Sequence, residues 1–172
     1  MAHLDEPISL VPYNSAWPSL FERERDLLEE LLAPWLAGPI EHIGSTAVPG
    51  LTAKPIIDVM AAVRDLGDSR GAIPILESAG YCYAPYRADM EHWFCKPNPS
   101  SRTHHLHLVP FGSRLWNDAL EFRNVLRRDA VTARQYVDLK LRLAQTHRTD
   151  REAYTEAKSA FVLAVVQRID EQ

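Results

Sequence analysis

Between Ser19 and Trp35 the apolar residues Leu20, Leu27, Leu28, Leu31, Leu32 and Trp35 recur three and four apart, and Glu22, Arg23, Glu24, Arg25, Glu29 and Glu30 fill the other positions. That spacing predicts an amphipathic first helix, because residues three and four apart share one helix face. Pro34, Gly38 and Pro39 close it, and Ile40 to Ile43 then alternates apolar and polar like a short strand that runs into a turn at Gly44 and Ser45. After a loop bracketed by Pro49, Gly50 and Pro55, the segment Pro55 to Val63 (PIIDVMAAV) is almost continuously apolar, the signature of a strand buried on both faces. A short helix is expected over Ser69 to Ala79, with Pro74 near its start and Gly80 at its stop. Tyr81 to Tyr83, Glu91 to Lys96 and His104 to Val109 read as three further strands, separated by the turn-rich stretches APYRAD and PNPSSR. From Arg114 to Asp170 there is no Gly or Pro, and the apolar period predicts two or three long helices with a break near Thr146 to Asp150. This order predicts an α+β fold with a mixed or antiparallel sheet, a sheet part over about residues 1–112 and a helical part over about 113–172.

At 172 residues the chain suits a single domain, and 46% hydrophobic residues are enough for one core. Nineteen basic against 23 acidic side chains give a net charge of −4, which argues against nucleic acid as a partner. The surplus is uneven: residues 1–113 carry 8 basic and 14 acidic groups, residues 114–172 carry 11 and 9. Cys82 and Cys95 are too few for a disulfide framework or a zinc knuckle and are expected to be buried and inert, in a reducing cytosol. The N-terminus lacks Lys and Arg and carries Asp5 and Glu6, unlike a signal peptide. The longest apolar run, Ala160 to Val166, is far short of the roughly 20 residues that cross a bilayer. A cytoplasmic protein with no membrane partner is expected.

Asp58 is the most informative single residue. An unpaired carboxylate in so apolar a strand would cost several kcal/mol of lost solvation, so it calls for a cation: a buried Arg or Lys, or a metal. The preceding HIGSTAVPGLTAKP places Gly44, Ser45 and Thr46 in a turn, where amides and hydroxyls can cradle phosphate oxygens, with Lys54 adding a point charge. In the HLHL segment, His105 and His107 share one strand face, where two imidazoles and Asp58 would make a 2-His-1-carboxylate metal set; bonding to a phosphate or to Asp58 itself is the alternative. On the helices Tyr136 and Lys140 stand four apart, as do Tyr154 and Lys158, and Arg123 and Arg127, so each pair lies on one helix face. His42, one face away from Ile43, could line the pocket, with Glu41 on the opposite side, and Trp17 staples the first helix to the sheet. No GxxxxGK[ST] segment is present, which excludes kinase activity of the Walker type.

Four stretches, HIGSTAVPGLTAKPIIDV, HHLHLVPF, FRNVLRRDAVTARQYVDLKLRLA and AYTEAKSAF, together resemble the GrpB family, a group assigned to the nucleotidyltransferase superfold; the resemblance runs from about Pro12 to about Ile169. It implies a mixed sheet with flanking helices, and a Gly-Ser turn followed by a strand whose Asp-x-Asp or Asp-x-Glu binds two divalent metals. The chain departs from that pattern at Met60, a thioether where the second carboxylate belongs and no ligand for Mg²⁺. The resemblance also marks Arg123, Tyr136, Lys140, Tyr154 and Lys158 as motif positions, which implies a cluster of cations facing the pocket and a small phosphorylated ligand or nucleotide between them. The expectation is therefore a phosphate-ligand or nucleotide-binding protein. Asp58 is at a divalent metal, Mg²⁺ or Mn²⁺ or another transition metal, and any catalysis is nucleotidyl or phosphoryl transfer. Because family members resemble domains fused to dephospho-coenzyme A kinases, the alternative is a noncatalytic ligand-sensing or accessory module of coenzyme A metabolism.

Overall fold

The computed structural model describes residues 7–170, the side chains of 169 and 170 excepted; Asp5 and Glu6, on which the reading of the N-terminus rests, lie outside the described residues. Helix α1 (Trp17–Leu32) leads into strand β1 (Leu36–Ile43), a 3-10 turn at Ser45–Ala47 and strand β2 (Ile57–Val63). Helices α2 (Leu66–Ser69) and α3 (Ile73–Ser78), with a 3-10 turn between them, precede β3 (Cys82–Ala84), β4 (His92–Pro97) and β5 (Arg102–Pro110). Three helices follow: α4 (Arg114–Arg128), α5 (Ala130–Thr146) and α6 (Arg151–Asp170). The five strands form one mixed sheet in the order β1-β2-β5-β4-β3, in which β2 and β5 run parallel and the other neighbours antiparallel. The fold is thus α+β.

Register decides which side chains share the sheet's two faces. Asp58 lies opposite Ile43 on β1 and His105 on β5, and Met60 lies opposite Glu41 and His107, so these residues all point to one face. On the other face Val59, Ala61, Leu106, Leu108 and Phe94 pack under α1 in the main core. Met60, Ile43, Ala62 and Val109 pack instead with Trp116 of α4, and a third cluster joins Val48 and Leu51 of the β1–β2 connection to α4, α5 and α6. The helical end of the chain is therefore anchored on the segment that carries the Gly-Ser turn.

Several elements differ from the sequence reading, each for a physical reason. Strand β1 begins at Leu36 rather than Ile40, running through Gly38 and Pro39; it is an edge strand with an irregularity between Leu36 and Ile40, where a proline costs no ladder bond. The expected helix over Ser69 to Ala79 is three short pieces instead. The buried stripe of α1 is Trp17, Phe21, Glu24, Leu28 and Leu32, so Glu24 leaves the polar face assigned to it and Leu27 is exposed. Burial of Glu24 is offset by Lys96, whose Nζ donates to its two carboxylate oxygens at 2.5 and 2.6 Å, and by the Tyr81 hydroxyl. Cys82 and Cys95, distant in sequence, are cross-strand partners on β3 and β4, and both thiols are free.

Candidate functional site

The 3-10 turn after β1 owes its position to Gly44. Its φ of 71° with ψ of −171° is open essentially to glycine alone, and a Cβ there would come within 2.6 Å of Asp58 Oδ2. The turn backbone thus lies directly against the Asp58 carboxylate. That carboxylate accepts a hydrogen bond from His105 Nδ1 at 2.9 Å, and His107 Nε2 stands 4.0 Å from the same oxygen. His107 Nδ1 donates to Glu91 Oε2 at 2.6 Å. Glu91, just before β4, is 2% exposed and was not among the residues singled out from the sequence; only strand pairing shows that it meets His107.

Electrostatics orders this chain of groups. His105 and His107 hold Asp58 well below the usual carboxylate range against the opposing effect of burial. Between Asp58 and Glu91, His107 is pushed up to about 9 although burial alone would lower it, so it is an imidazolium at neutral pH. Burial lowers His105, so it is neutral there. With Nδ1–H given to Asp58, the His105 Nε2 carries a lone pair, and that atom is buried without a partner.

The lysines come from three other elements. Lys140 on α5 is 2% exposed; its Nζ donates to Ser45 Oγ at 3.0 Å and to the Thr52 carbonyl, and it lies 4.9 Å from the centre of the Tyr136 ring. Burial pushes the Tyr136 hydroxyl well above its ordinary value, with Ser45 opposing. Lys158 on α6 stands over the Tyr154 ring at 4.2 Å, and Lys54 approaches the same ring at 4.9 Å. Burial, then Lys54, pushes Lys140 down to about 8. Burial with Lys54 and Lys140 pushes Lys158 down to about 7, with Asp58 opposing. Among the described residues neither Lys140 nor Lys158 has a carboxylate partner.

The structure thus gathers Gly44, Ser45, Lys54, Asp58, His105, His107, Tyr136, Lys140, Tyr154 and Lys158, and it separates two others from them. Thr46 is buried, donating to the Ile56 carbonyl and accepting from His42 Nε2 at 2.9 Å. Arg123 donates to Glu41 Oε2 at 2.6 Å and to the His42 carbonyl, and Arg127 donates to the Ala47 carbonyl. These residues, with Phe21 stacked on His42 at 4.7 Å, line a separate cleft of about 390 Å³ on the α1 side of the turn. Burial pushes His42 down to about 4. His42 does not face Asp58 as expected, because the strand alternation turns it to the α1 face.

The two-metal arrangement implied by the superfold does not fit these residues. Met60 is 1% exposed and packs in an apolar cluster, and no second carboxylate shares its place. Asp58, His105 and His107 do meet, but as a hydrogen-bonded chain in which Glu91 occupies His107 Nδ1. Among the described residues no three His, Cys, Asp or Glu side chains are placed to hold a metal ion.

The model of the GrpB protein family matches residues 7–168. A UPF0157 protein of Pseudomonas aeruginosa is 37% identical over 169 residues, covering 95% of this chain and 68% of that one. The crystal structure of the conserved protein GrpB from Enterococcus faecalis superposes with a TM-score of 0.82 at 33% identity, over 93% of this chain and 96% of that one. A shorter likeness, 33% identity over 78 residues, covers 44% of this chain and 19% of a dephospho-CoA kinase of Mycolicibacterium paratuberculosis. Since the family match takes in the Gly-Ser turn, the HLHL strand and both tyrosine–lysine helices, and the fold agrees along nearly its whole length, the chain belongs to the GrpB family.

Proposed function

We propose that this chain binds a small phosphorylated ligand, of the nucleotide class, at the Gly44–Ser45 turn between Asp58 and the lysines. The observation that carries this reading is the convergence of Lys54, Lys140 and Lys158 on a partly buried spot, where burial and the neighbouring lysines favour loss of the Lys140 and Lys158 protons. A phosphate supplies the negative charge such a place needs, through short charge-assisted hydrogen bonds. Ser45 and the turn amides add neutral donors. The cations converge on one point rather than running as a stripe, which suits a small anion better than a nucleic acid. No described helix is long and apolar enough to cross a membrane, and the two free thiols suit a reducing cytosol.

In a nucleotidyl or phosphoryl transfer the ammonium groups would neutralise charge on the transferred group's oxygens, and Asp58 with His105 would orient the acceptor hydroxyl. The second reading, a noncatalytic accessory module, is favoured by the partial likeness to a dephospho-CoA kinase, which brings coenzyme A precursors among the ligands to try. Thermal shift with nucleoside triphosphates, dephospho-coenzyme A and inorganic phosphate, with and without Mg²⁺ or Mn²⁺, separates the two on wild type and Asp58→Asn. Metal-dependent stabilisation and turnover, both lost in Asp58→Asn, select the transferase and would establish the metal. Stabilisation that needs no metal and survives the substitution selects the module. Absence of a shift with every phosphate ligand overturns both.

A further inference from the structure

The chain has four lysines against fifteen arginines, so arginine is its ordinary cation. Three of the four lysines stand at one place, and the fourth, Lys96, is committed to Glu24. A site that needed only positive charge on a phosphate would be served as well by guanidinium groups, which bind it bidentately and stay charged. What lysine offers instead is an amine that can lose its proton and attack an electrophile.

The three amines are not equivalent. Lys140 is tied to Ser45 Oγ and the Thr52 carbonyl and is almost wholly buried. Lys54 shares the Tyr154 ring from the approach to β2. Lys158 is half-buried, donates no hydrogen bond to any described residue, and is held over a ring that is itself fully buried. Tyr154 on its own helix lies beneath it, and the charges that act on it are Lys54, Lys140 from α5 and Asp58 from β2; two ammoniums and burial act against its proton and one carboxylate acts for it.

We propose that Lys158 is a nucleophilic amine that captures the carbonyl of an aldehyde-bearing phosphorylated ligand as a reversible Schiff base, while Lys54 and Lys140 hold the phosphate. The proposal rests on the phosphate-ligand reading of the same site. In the step, the lone pair of the neutral amine attacks the carbonyl carbon and a C–N bond forms. The carbonyl oxygen takes up the two protons shed by the nitrogen and leaves as water, and a C=N bond remains. No oxidant or reductant takes part.

The test incubates the full chain with pyridoxal phosphate at neutral pH, reduces with borohydride and maps the adduct over all four lysines. Lys158 is expected to be labelled at least about tenfold faster than the other three and than free Nα-acetyl-lysine, as an amine that is largely unprotonated at neutral pH should be. Its rate should rise with pH about a midpoint near 7, rather than near the ordinary lysine value of about 10. Lys158→Arg should fold and lose the fast adduct; if it does not fold, the wild-type map still decides. Labelling spread evenly over the lysines, or a midpoint near that of free lysine, overturns the proposal. A neutral aldehyde and a separate thermal shift with inorganic phosphate keep the two ideas apart. A phosphate shift without preferential Lys158 labelling overturns the nucleophile alone. Preferential labelling by propionaldehyde with no phosphate shift upholds the nucleophile and overturns the phosphate reading.

Discussion

Gly44 and Asp58 constrain each other: the carboxylate sits where a side chain on residue 44 would have to go, and the backbone there is in a region that only glycine enters freely. Gly44→Ala is expected to lose about 2 kcal/mol or more, from strain and from displacement of Asp58, read as a lower urea midpoint with unchanged m. His107 supplies a pH signature. Its folded value, about 9, exceeds that of an unfolded histidine. The stabilisation is therefore complete below about pH 6.5 and fades as pH rises through 9, a contribution of about 3 kcal/mol at its fullest. Glu91→Gln should flatten the fall in stability between these pH values, as measured by urea unfolding across the range; an unchanged slope would mean that the ion pair does not form. Asp58 was legible in the sequence because a carboxylate in an apolar strand demands a partner. Glu91 was not, because its partner His107 lies on another strand and nothing local marks it. Thr46 looked like a companion of Ser45 by adjacency, yet consecutive residues of a 3-10 turn point different ways, and its hydroxyl is spent on His42 and Ile56.

Elements were legible where one periodicity ran unbroken. The apolar run of β2 and the alternation of β5 marked their strands directly, and the stretch after Arg114 read as two or three helices with a break near Thr146 to Asp150; the structure has three, with a further boundary at Asp129 that the unbroken apolar period does not show. That residue closes α4 and caps α5: its carboxylate accepts from the Val131 and Thr132 amides and the Thr132 hydroxyl. Asp129→Ala is expected to lower Tm by a few degrees, and Asp129→Asn to restore most of the loss, as followed by circular dichroism. Equal losses for the two would show that the cap is not what matters there. The start of β1 and the polar face of α1 were misread for one reason: both depend on partners elsewhere in the fold. Gly38 and Pro39 are acceptable in an edge strand, and Glu24 is acceptable in the core only because Lys96 and Tyr81 come to it from β4 and the turn before β3.

Across the whole molecule, the division between an acidic sheet part and a mildly basic helical part has a spatial meaning. The helices bring Lys140 and Lys158 down onto the turn and strand that carry Ser45 and Asp58, so the site is built at the seam between the two parts. The arginines with the same helical spacing serve the fold instead, Arg123 on Glu41 and Arg127 on the Ala47 carbonyl. Spacing alone could not distinguish the two roles, since it fixes a shared helix face and not what that face meets. Isothermal titration of inorganic pyrophosphate at pH 8 reads out the anion site proposed at the lysine seam. Because burial pushes Lys140 down to about 8, binding should draw a proton onto it. The measured heat should then differ between two buffers of unequal ionisation enthalpy, and Lys140→Met, with its fold verified, should bind at least about tenfold more weakly. Heat that is the same in both buffers, or an affinity unchanged in Lys140→Met, would contradict the account.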